Sequence, residues 1–196
     1  MKLKRFRIVQ FLEYAAAMIL ALPFYLLPRR LALRIGEQLG ELLYHTMRRR
    51  RQIGYNNLTV AFGNELSVQE KQAILRANFR NLGKSLIEIL HFPKMSEHYL
   101  QEKVKIEGQE HYLAALSQGH GIICLTAHIG NWEMSSHAQS ATGYPLSVVV
   151  RPLDNHYLNN VVTKLRTMHG NMVLTRRNGM KQIITTLRNK GSVGIL

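Results

Sequence analysis

The sequence has little of two residues on which many folds and mechanisms depend. Its 196 residues include a single cysteine, Cys124, and a single aspartate, Asp154. One cysteine excludes an internal disulfide and is typical of proteins kept in a reducing compartment. One aspartate excludes any mechanism that needs several aspartates within this chain. Cys124 lies inside an apolar run, which predicts a buried, inert thiol.

Several common motifs are absent as well. There is no Walker A motif and no G-x-G-x-x-G, so nucleotide cofactors lack support. There is no G-x-S-x-G, which argues against a serine hydrolase. His128, Glu133 and His137 lie close together along the chain, but without H-E-x-x-H or a structural zinc spacing a metal site is a minor alternative. We expect no metal and no bound cofactor.

Acidic residues are scarce relative to basic ones. The chain has 26 Lys and Arg against 12 Asp and Glu, a formal net charge of +14. This balance suits a polyanion: an anionic membrane, an acidic carrier protein or nucleic acid. No zinc-finger spacing, RNP-like strand or helix-turn-helix accompanies it, so we expect no nucleic-acid partner. The apolar fraction of 46% excludes disorder and suits one domain with a core.

The first thirty residues predict a membrane anchor. Residues 8–27 are mostly apolar and have basic residues on both sides. Twenty helical residues span about 30 Å, roughly one bilayer core. Gln10, Glu13 and Pro23 weaken a simple spanning helix. An uncleaved anchor over residues 1–30 is favoured over a cleaved signal peptide because no small-x-small site follows, and a buried core helix is a further alternative.

Two patterns stand out before residue 100. Residues 48–51 are four consecutive arginines, which either bind anionic lipid headgroups or form a solvated helix end. Residues 67–90 predict an amphipathic helix that begins with a capping box of Ser67 and Glu70. Spacings of three and four predict that its core face consists of Leu75, Phe79, Leu82, Leu86 and Leu90.

From residue 103 onward, strand and helix patterns alternate. This alternation predicts an α/β fold, with a mostly parallel sheet flanked by helices. Strands are predicted at 104–108, 121–127, 145–150, 171–175 and 192–196, and helices at 109–119, 131–142, 154–170 and 179–191.

Polar residues follow three of these strands directly. His128 follows the first long strand, Arg151 the next, and Arg176 and Arg177 the third. Open α/β sheets bind ligands beyond the carboxyl ends of their strands, so these side chains should meet at one edge. The last strand ends at Leu196, and we expect the natural protein to continue beyond it.

The spacing of His128 and Glu133 suits general-base catalysis. A neutral imidazole takes a proton from an attacking hydroxyl, and a carboxylate on its other nitrogen stabilises the imidazolium. Gly130 permits a tight turn, and Asn131 can cap the next helix, whose N-terminus favours an oxyanion. Taken alone, H-x4-E is a weak signal, and an ordinary turn followed by a first-turn acid is the alternative.

Larger segments carry a family resemblance. "AHIGNWE", with His128 and Glu133, resembles the H-x4-D/E motif of glycerolipid-type acyltransferases. With "YNNLTVAFG", "VVVRPLDNHYLNNVVTKLRTMHG" and "VLTRRNGMKQIITTLRNKGSVGIL", the chain resembles the late acyltransferases of lipid A biosynthesis. Members of that family continue past such a final strand with an Asp-Gln-type motif, so the resemblance also implies a C-terminally truncated domain over residues 31–196.

The resemblance implies an enzyme of the bacterial inner membrane with its site facing the cytoplasm. It implies transfer of a fatty acyl group from acyl carrier protein or coenzyme A to a hydroxyl of a phosphorylated glycolipid, without a cofactor. His128 would be the general base and Glu133 its orienting partner. Arg151 and Arg166 match arginines of the family motif, with phosphate binding or structural support both open for Arg166. Substrate contacts are further implied for Asn131, Arg176 and Arg177.

Two alternatives stay open at this point. The acceptor could be a lysophospholipid or another glycolipid, with the same chemistry. The chain could also be an inactive truncated relative that acts only as a membrane-bound basic protein, in which case His128 would be incidental.

Overall fold

The computed structural model describes residues 7–175 and 179–196. Its α-helices are α1 (Arg7–Leu26), α2 (Arg29–Thr46), α3 (Arg48–Phe62), α4 (Val68–His91), α5 (Glu97–Lys103), α6 (Gln109–Ser117), α7 (Trp132–Ala141), α8 (His156–Thr167) and α9 (Gly179–Arg188). Its strands are β1 (Ile122–Leu125), β2 (Leu146–Val150), β3 (Met172–Thr175) and β4 (Ser192–Ile195). A 3₁₀ turn, Phe92–Lys94, follows α4.

The chain forms two compact units. Residues 21–91 form one, called the helical unit here, and residues 1–20 together with 92–196 form the other, the α/β unit. The predicted division into an anchor over residues 1–30 and a domain over residues 31–196 stays a prediction.

The sheet of the α/β unit is parallel throughout. Its strand order is β1-β4-β2-β3, so the last strand lies between the first two. Four of the five predicted strands and all four predicted helices of this region are confirmed. Val193 on β4, an inner strand of the sheet, is fully buried. The other buried apolar side chains of the sheet and of α7 are Ala138, Ala141, Leu146 and Leu174.

The predicted strand over residues 104–108 is wrong. These residues connect α5 to α6, and α5 was not predicted, although Ser96 caps it by accepting a hydrogen bond from Tyr99 N at 3.1 Å. The connection does alternate between half-buried and exposed side chains. Alternation of apolar and polar residues indicates only which side of the chain faces the protein. A strand also needs a neighbouring strand to which it is hydrogen-bonded, and this segment has none among the described residues.

The helical unit centres on a close crossing of α2 and α4. Gly36 and Gly40 of α2 meet Gly83 of α4, and a Cβ atom at Gly83 would overlap the carbonyl oxygen of Gly36. Beside the crossing, Glu41 accepts hydrogen bonds from Arg76 and Arg80 at 2.5 and 2.6 Å. These guanidinium groups, Arg76 foremost, lower the pKa of Glu41 to about 2.

The start of α4 is confirmed, but its buried face differs from the prediction. Ser67 N donates to Glu70 at 2.7 Å and Glu70 N donates to the Ser67 hydroxyl at 3.2 Å, which is the predicted capping box. Leu75 is buried, but Leu82 and Leu86 are 43% and 61% exposed. The buried face instead runs through Lys71, Leu75, Gly83, Ile87 and His91, because the close approach of α2 turns the glycine side inward.

α1 forms one continuous helix with Pro23 inside it. Among the described residues it is the one helix long and apolar enough to cross a membrane, with a mean hydropathy of 1.6 over its most apolar window.

Candidate active site

A pocket at the carboxyl edge of the sheet brings predicted site residues together. Its volume is about 180 Å³, and His128, Glu133, Arg151 and Arg166 all line it. The remaining lining residues are Trp132, Ser136, Val148, Val149, Val150 and Leu196. His128 lies in the turn after β1, and Arg151 directly follows β2. Glu133 and Arg166 lie on α7 and α8, so residues that follow parallel strands meet at one edge of the sheet.

The turn between β1 and α7 has the predicted local structure. Gly130 has a φ of 59°, a left-handed conformation that glycine adopts without strain. Asn131 caps α7 by accepting a hydrogen bond from Met134 N at 3.1 Å. The cap sets the direction of α7, and therefore the position of Glu133 in its first turn. The ring of exposed His128 stands edge-on to Trp132, with 5.1 Å between ring centres.

Glu133 is paired with Arg166 and not with His128. Arg166 Nε donates to both carboxylate oxygens at 3.1 and 3.0 Å, and Nη2 donates to Oε1 at 2.5 Å. The side chains of Glu133 and Arg166 are only 14% and 24% exposed, so solvent screens this pair weakly. Among the described residues, His128 and Glu133 share no hydrogen bond. Phosphate binding and structural support were both open for Arg166. Its hydrogen bonds to Glu133 are a contact of the structural kind.

Arg151 is the accessible cation of the pocket. Its side chain is 71% exposed, and its nearest carboxylate is Asp154 Oδ1 at 3.9 Å. A guanidinium in this position can bind a phosphate with two parallel hydrogen bonds. Arg176 and Arg177, the other predicted arginines of this edge, lie outside the described residues.

A buried pair of histidines close to Glu133 was not predicted from the sequence. His137, one turn after Glu133 on α7, is 1% exposed, and its Nδ1 lies 2.8 Å from Nδ1 of His169. His169 Nε2 donates to the Met95 carbonyl at 2.8 Å, so its Nδ1 accepts from His137. His137 Nε2 is left without a proton and without a partner in the described structure.

Burial and the neighbouring His169 lower the pKa of His137 to about 4, against the opposing charge of Glu133. The positions of His137 and His169 relative to Glu133 and Arg166 could have predicted this contact from the sequence. His137 follows Glu133 by four residues and His169 follows Arg166 by three, so both contacts join the same two segments. Among the described residues, no group of three or more His, Cys, Asp or Glu side chains is placed to hold a metal ion.

A second, more apolar cavity adjoins the first. It has a volume of about 170 Å³ and shares Trp132, Ser136, Val148 and Leu196 with the first pocket. Cys124 lines it and is half-buried; burial raises the pKa of its thiol, which keeps it protonated and unreactive.

The fold and pocket together define an α/β protein with a histidine, a glutamate and two arginines at the carboxyl edge of a parallel sheet. The chain belongs to the bacterial lipid A biosynthesis acyltransferase family, whose sequence pattern matches residues 2–196.

Individual relatives agree with this assignment. The chain is 24% identical over 159 residues to the lipid A biosynthesis palmitoleoyltransferase of Escherichia coli (strain K12), which covers 81% of this chain and 51% of that protein. It is 29% identical over 167 residues to the lauroyltransferase of the same strain, covering 85% and 53%. A lipid A biosynthesis acyltransferase of Haemophilus influenzae is 28% identical over 177 residues, covering 89% and 54%. The chain spans about half the length of the curated relatives it matches.

Proposed function

We propose that this protein is an O-acyltransferase that moves a fatty acyl group from a thioester to a hydroxyl of a lipid A precursor. The observation that carries the proposal is the convergence of His128, Arg151 and the Glu133–Arg166 pair on one pocket in a member of this family. The donor is acyl carrier protein or coenzyme A, whose thioester is already activated, so the transfer needs no bound cofactor.

His128 is the general base in this proposal. Its imidazole removes the proton of the acceptor hydroxyl while the hydroxyl oxygen attacks the thioester carbonyl. When the tetrahedral intermediate collapses, the C–S bond breaks and the imidazolium returns the proton to the leaving thiolate. The products are an ester and a free thiol. Both proton transfers need an accessible ring, and His128 is exposed at the mouth of the pocket.

Glu133 supplies the negative charge that stabilises the imidazolium. The Arg166 fork holds its carboxylate in one orientation in the first turn of α7. The charge therefore acts on His128 across the pocket, without the direct hydrogen bond that the motif suggested. Arg166 contributes to the reaction through Glu133, as a positioning residue.

Arg151 binds a phosphate of the acceptor. Its exposure and its loose contact with Asp154 leave the guanidinium available for a bidentate contact. Arg176 and Arg177 follow β3 in the sequence and are proposed to extend this anion-binding edge. The Asn131 side chain caps α7. We propose that the backbone at the start of α7, which this cap orders, makes the substrate contact.

The enzyme works at the bacterial inner membrane with its pocket on the cytoplasmic side. The exposed apolar surface of α1 and the positive charge of the chain support attachment to an anionic bilayer, where the lipid acceptor resides.

Transfer of radiolabelled acyl groups by the purified full chain tests the proposal. Acyl carrier protein and coenzyme A thioesters are each offered with a lipid A precursor and, separately, with a lysophospholipid. We expect label on the glycolipid and a loss of at least a hundredfold for Glu133→Gln, which keeps the shape but removes the charge. Label on the lysophospholipid alone would move the protein to the alternative acceptor class. No transfer to either would contradict the enzyme assignment.

A further inference from the structure

Two polar residues of the apolar helix α1 are covered by the start of α8. Asn155 Nδ2 donates to the backbone oxygen of Gln10 at 2.8 Å and to Glu13 Oε2 at 3.0 Å. Asn155 Oδ1 accepts from Tyr157 N and Leu158 N at 3.0 and 3.1 Å, capping α8. The side chain is 95% buried, and its amide makes four hydrogen bonds. Two of the three residues that weakened a spanning helix in the sequence, Gln10 and Glu13, thus make hydrogen bonds to the start of α8.

Aromatic contacts fix the same two turns of α1. The Tyr157 ring lies 5.7 Å from the Phe11 ring and 5.8 Å from the Tyr14 ring, measured between ring centres. Edge-to-face and tilted pairs at this separation stabilise beyond their buried area. The first half of α1 therefore belongs to the α/β unit as a docked helix.

The opposite side of α1 is apolar and exposed. At about 100° per residue, five of its large side chains fall within roughly 40° of a single line, and Gln10, Glu13 and Ala17 lie on the other side of the helix. All five are more than half exposed: Ile8, Leu12, Ile19, Leu22 and Leu26. We call these five residues the apolar stripe of α1.

The docking is incompatible with a helix that crosses the bilayer. If α1 crossed, the chain after Leu26 would continue on the side opposite to Arg7. No other helix of the described residues could bring it back. Yet Asn155, far down the chain, bonds to Gln10, which lies roughly 24 Å from Leu26 along the helix axis. A crossing helix would therefore place the polar start of α8 inside or beyond the hydrocarbon.

We propose that α1 lies in the plane of one leaflet, with its apolar stripe in the acyl-chain region and with Gln10 and Glu13 held against the start of α8. The partner is an anionic bilayer surface. Exposed Arg7 at the start of the helix and Arg30 just after its end complement the headgroup charge. This placement goes beyond the proposed acyl transfer and does not depend on it.

Depth measurements along α1 test the placement. The full chain carries Cys124→Ser, so that single cysteines can be spin-labelled in the variants Ile8→Cys, Leu12→Cys, Ile19→Cys and Leu26→Cys. The protein is bound to vesicles of phosphatidylethanolamine and phosphatidylglycerol. We expect all four labels at one shallow depth. A depth that increases from position 8 towards the middle of the helix and decreases again by position 26 would overturn the proposal, as would labels that remain in water.

Vesicle partitioning provides a second measurement. Leu12→Ser and Ile19→Ser should each weaken binding to these vesicles about tenfold, because each removes apolar area from the lipid. Leu113→Ser, at an exposed leucine of α6, is the matched control and should bind like the parent. Unchanged partitioning of both stripe variants would overturn the proposal. Neither readout uses acyl transfer, so a failed enzyme assignment and a failed membrane placement give different results.

Discussion

The buried pair of His137 and His169 makes the stability of this protein sensitive to mild acid. His137 has a pKa of about 4 in the folded protein, below its ordinary 6.5, because a proton on Nε2 would be buried without an acceptor. The folded state therefore prefers neutral His137, and its contribution is fully present above pH 6.5. Between about pH 6.5 and pH 4, His137 binds a proton in the unfolded chain but not in the folded protein. The contribution to stability is therefore lost as the pH falls through this range.

The magnitude follows from the size of the shift. A pKa lowered from 6.5 to about 4 corresponds to about 3 kcal/mol of the free energy of unfolding, and about 2 kcal/mol of this is lost between pH 7.5 and pH 5. Glu133, held by Arg166, and the His169 ring are the charged and titratable groups that face His137.

Urea unfolding at the two pH values, followed by the fluorescence of Trp132, measures the effect. In the variant His137→Gln the pH-dependent loss should shrink by about 2 kcal/mol relative to the parent. The control His111→Gln removes an exposed histidine of α6 and should leave the loss unchanged. Equal pH dependence in the parent and in His137→Gln would refute the argument.

Three further predictions concern packing, binding and docking. Gly83→Ala should lower the free energy of unfolding by about 1–3 kcal/mol, because its methyl group overlaps the Gly36 carbonyl. Gly54→Ala meets the end of the Leu75 side chain and no backbone atom, so it should cost less, and thermal melts compare the two. Arg151→Gln should raise the KM for the phosphorylated acceptor at least tenfold with little change in kcat, and an unchanged KM would exclude the phosphate contact. Asn155→Ala should destabilise by about 2 kcal/mol and Asn155→Ser by about half as much, since serine keeps a cap acceptor; equal losses in urea unfolding would count against the cap.

The sequence predicted the α/β unit well because its signals there are local. An apolar run followed by a residue that caps the next helix marks each of β1–α7 and β2–α8. The strand order was not predictable, because β4 lies between β1 and β2 through contacts distant in sequence. The face of α4 was misassigned for the same reason, since Gly36 and Gly40 of another helix determine which side is buried.

The composition of the candidate site was predictable, but its pairing was not. Residues that follow parallel strands share one edge, so His128 and Arg151 were expected to line the same pocket. The motif suggested that Glu133 would bond to the nearby imidazole. Instead Arg166, 33 residues further along, occupies both carboxylate oxygens, because charge-assisted bonds from a planar fork are stronger than a bond from a neutral ring.

The central claim is that His128 is the general base of an acyl transfer. The most direct test is the rate of ester formation by the purified full chain with an acyl thioester and a lipid A precursor, measured for the parent, for His128→Ala and for His111→Ala. We expect a loss of about 10²–10⁴ in kcat for His128→Ala and a parental rate for His111→Ala. An active parent whose rate is unchanged in His128→Ala would contradict it.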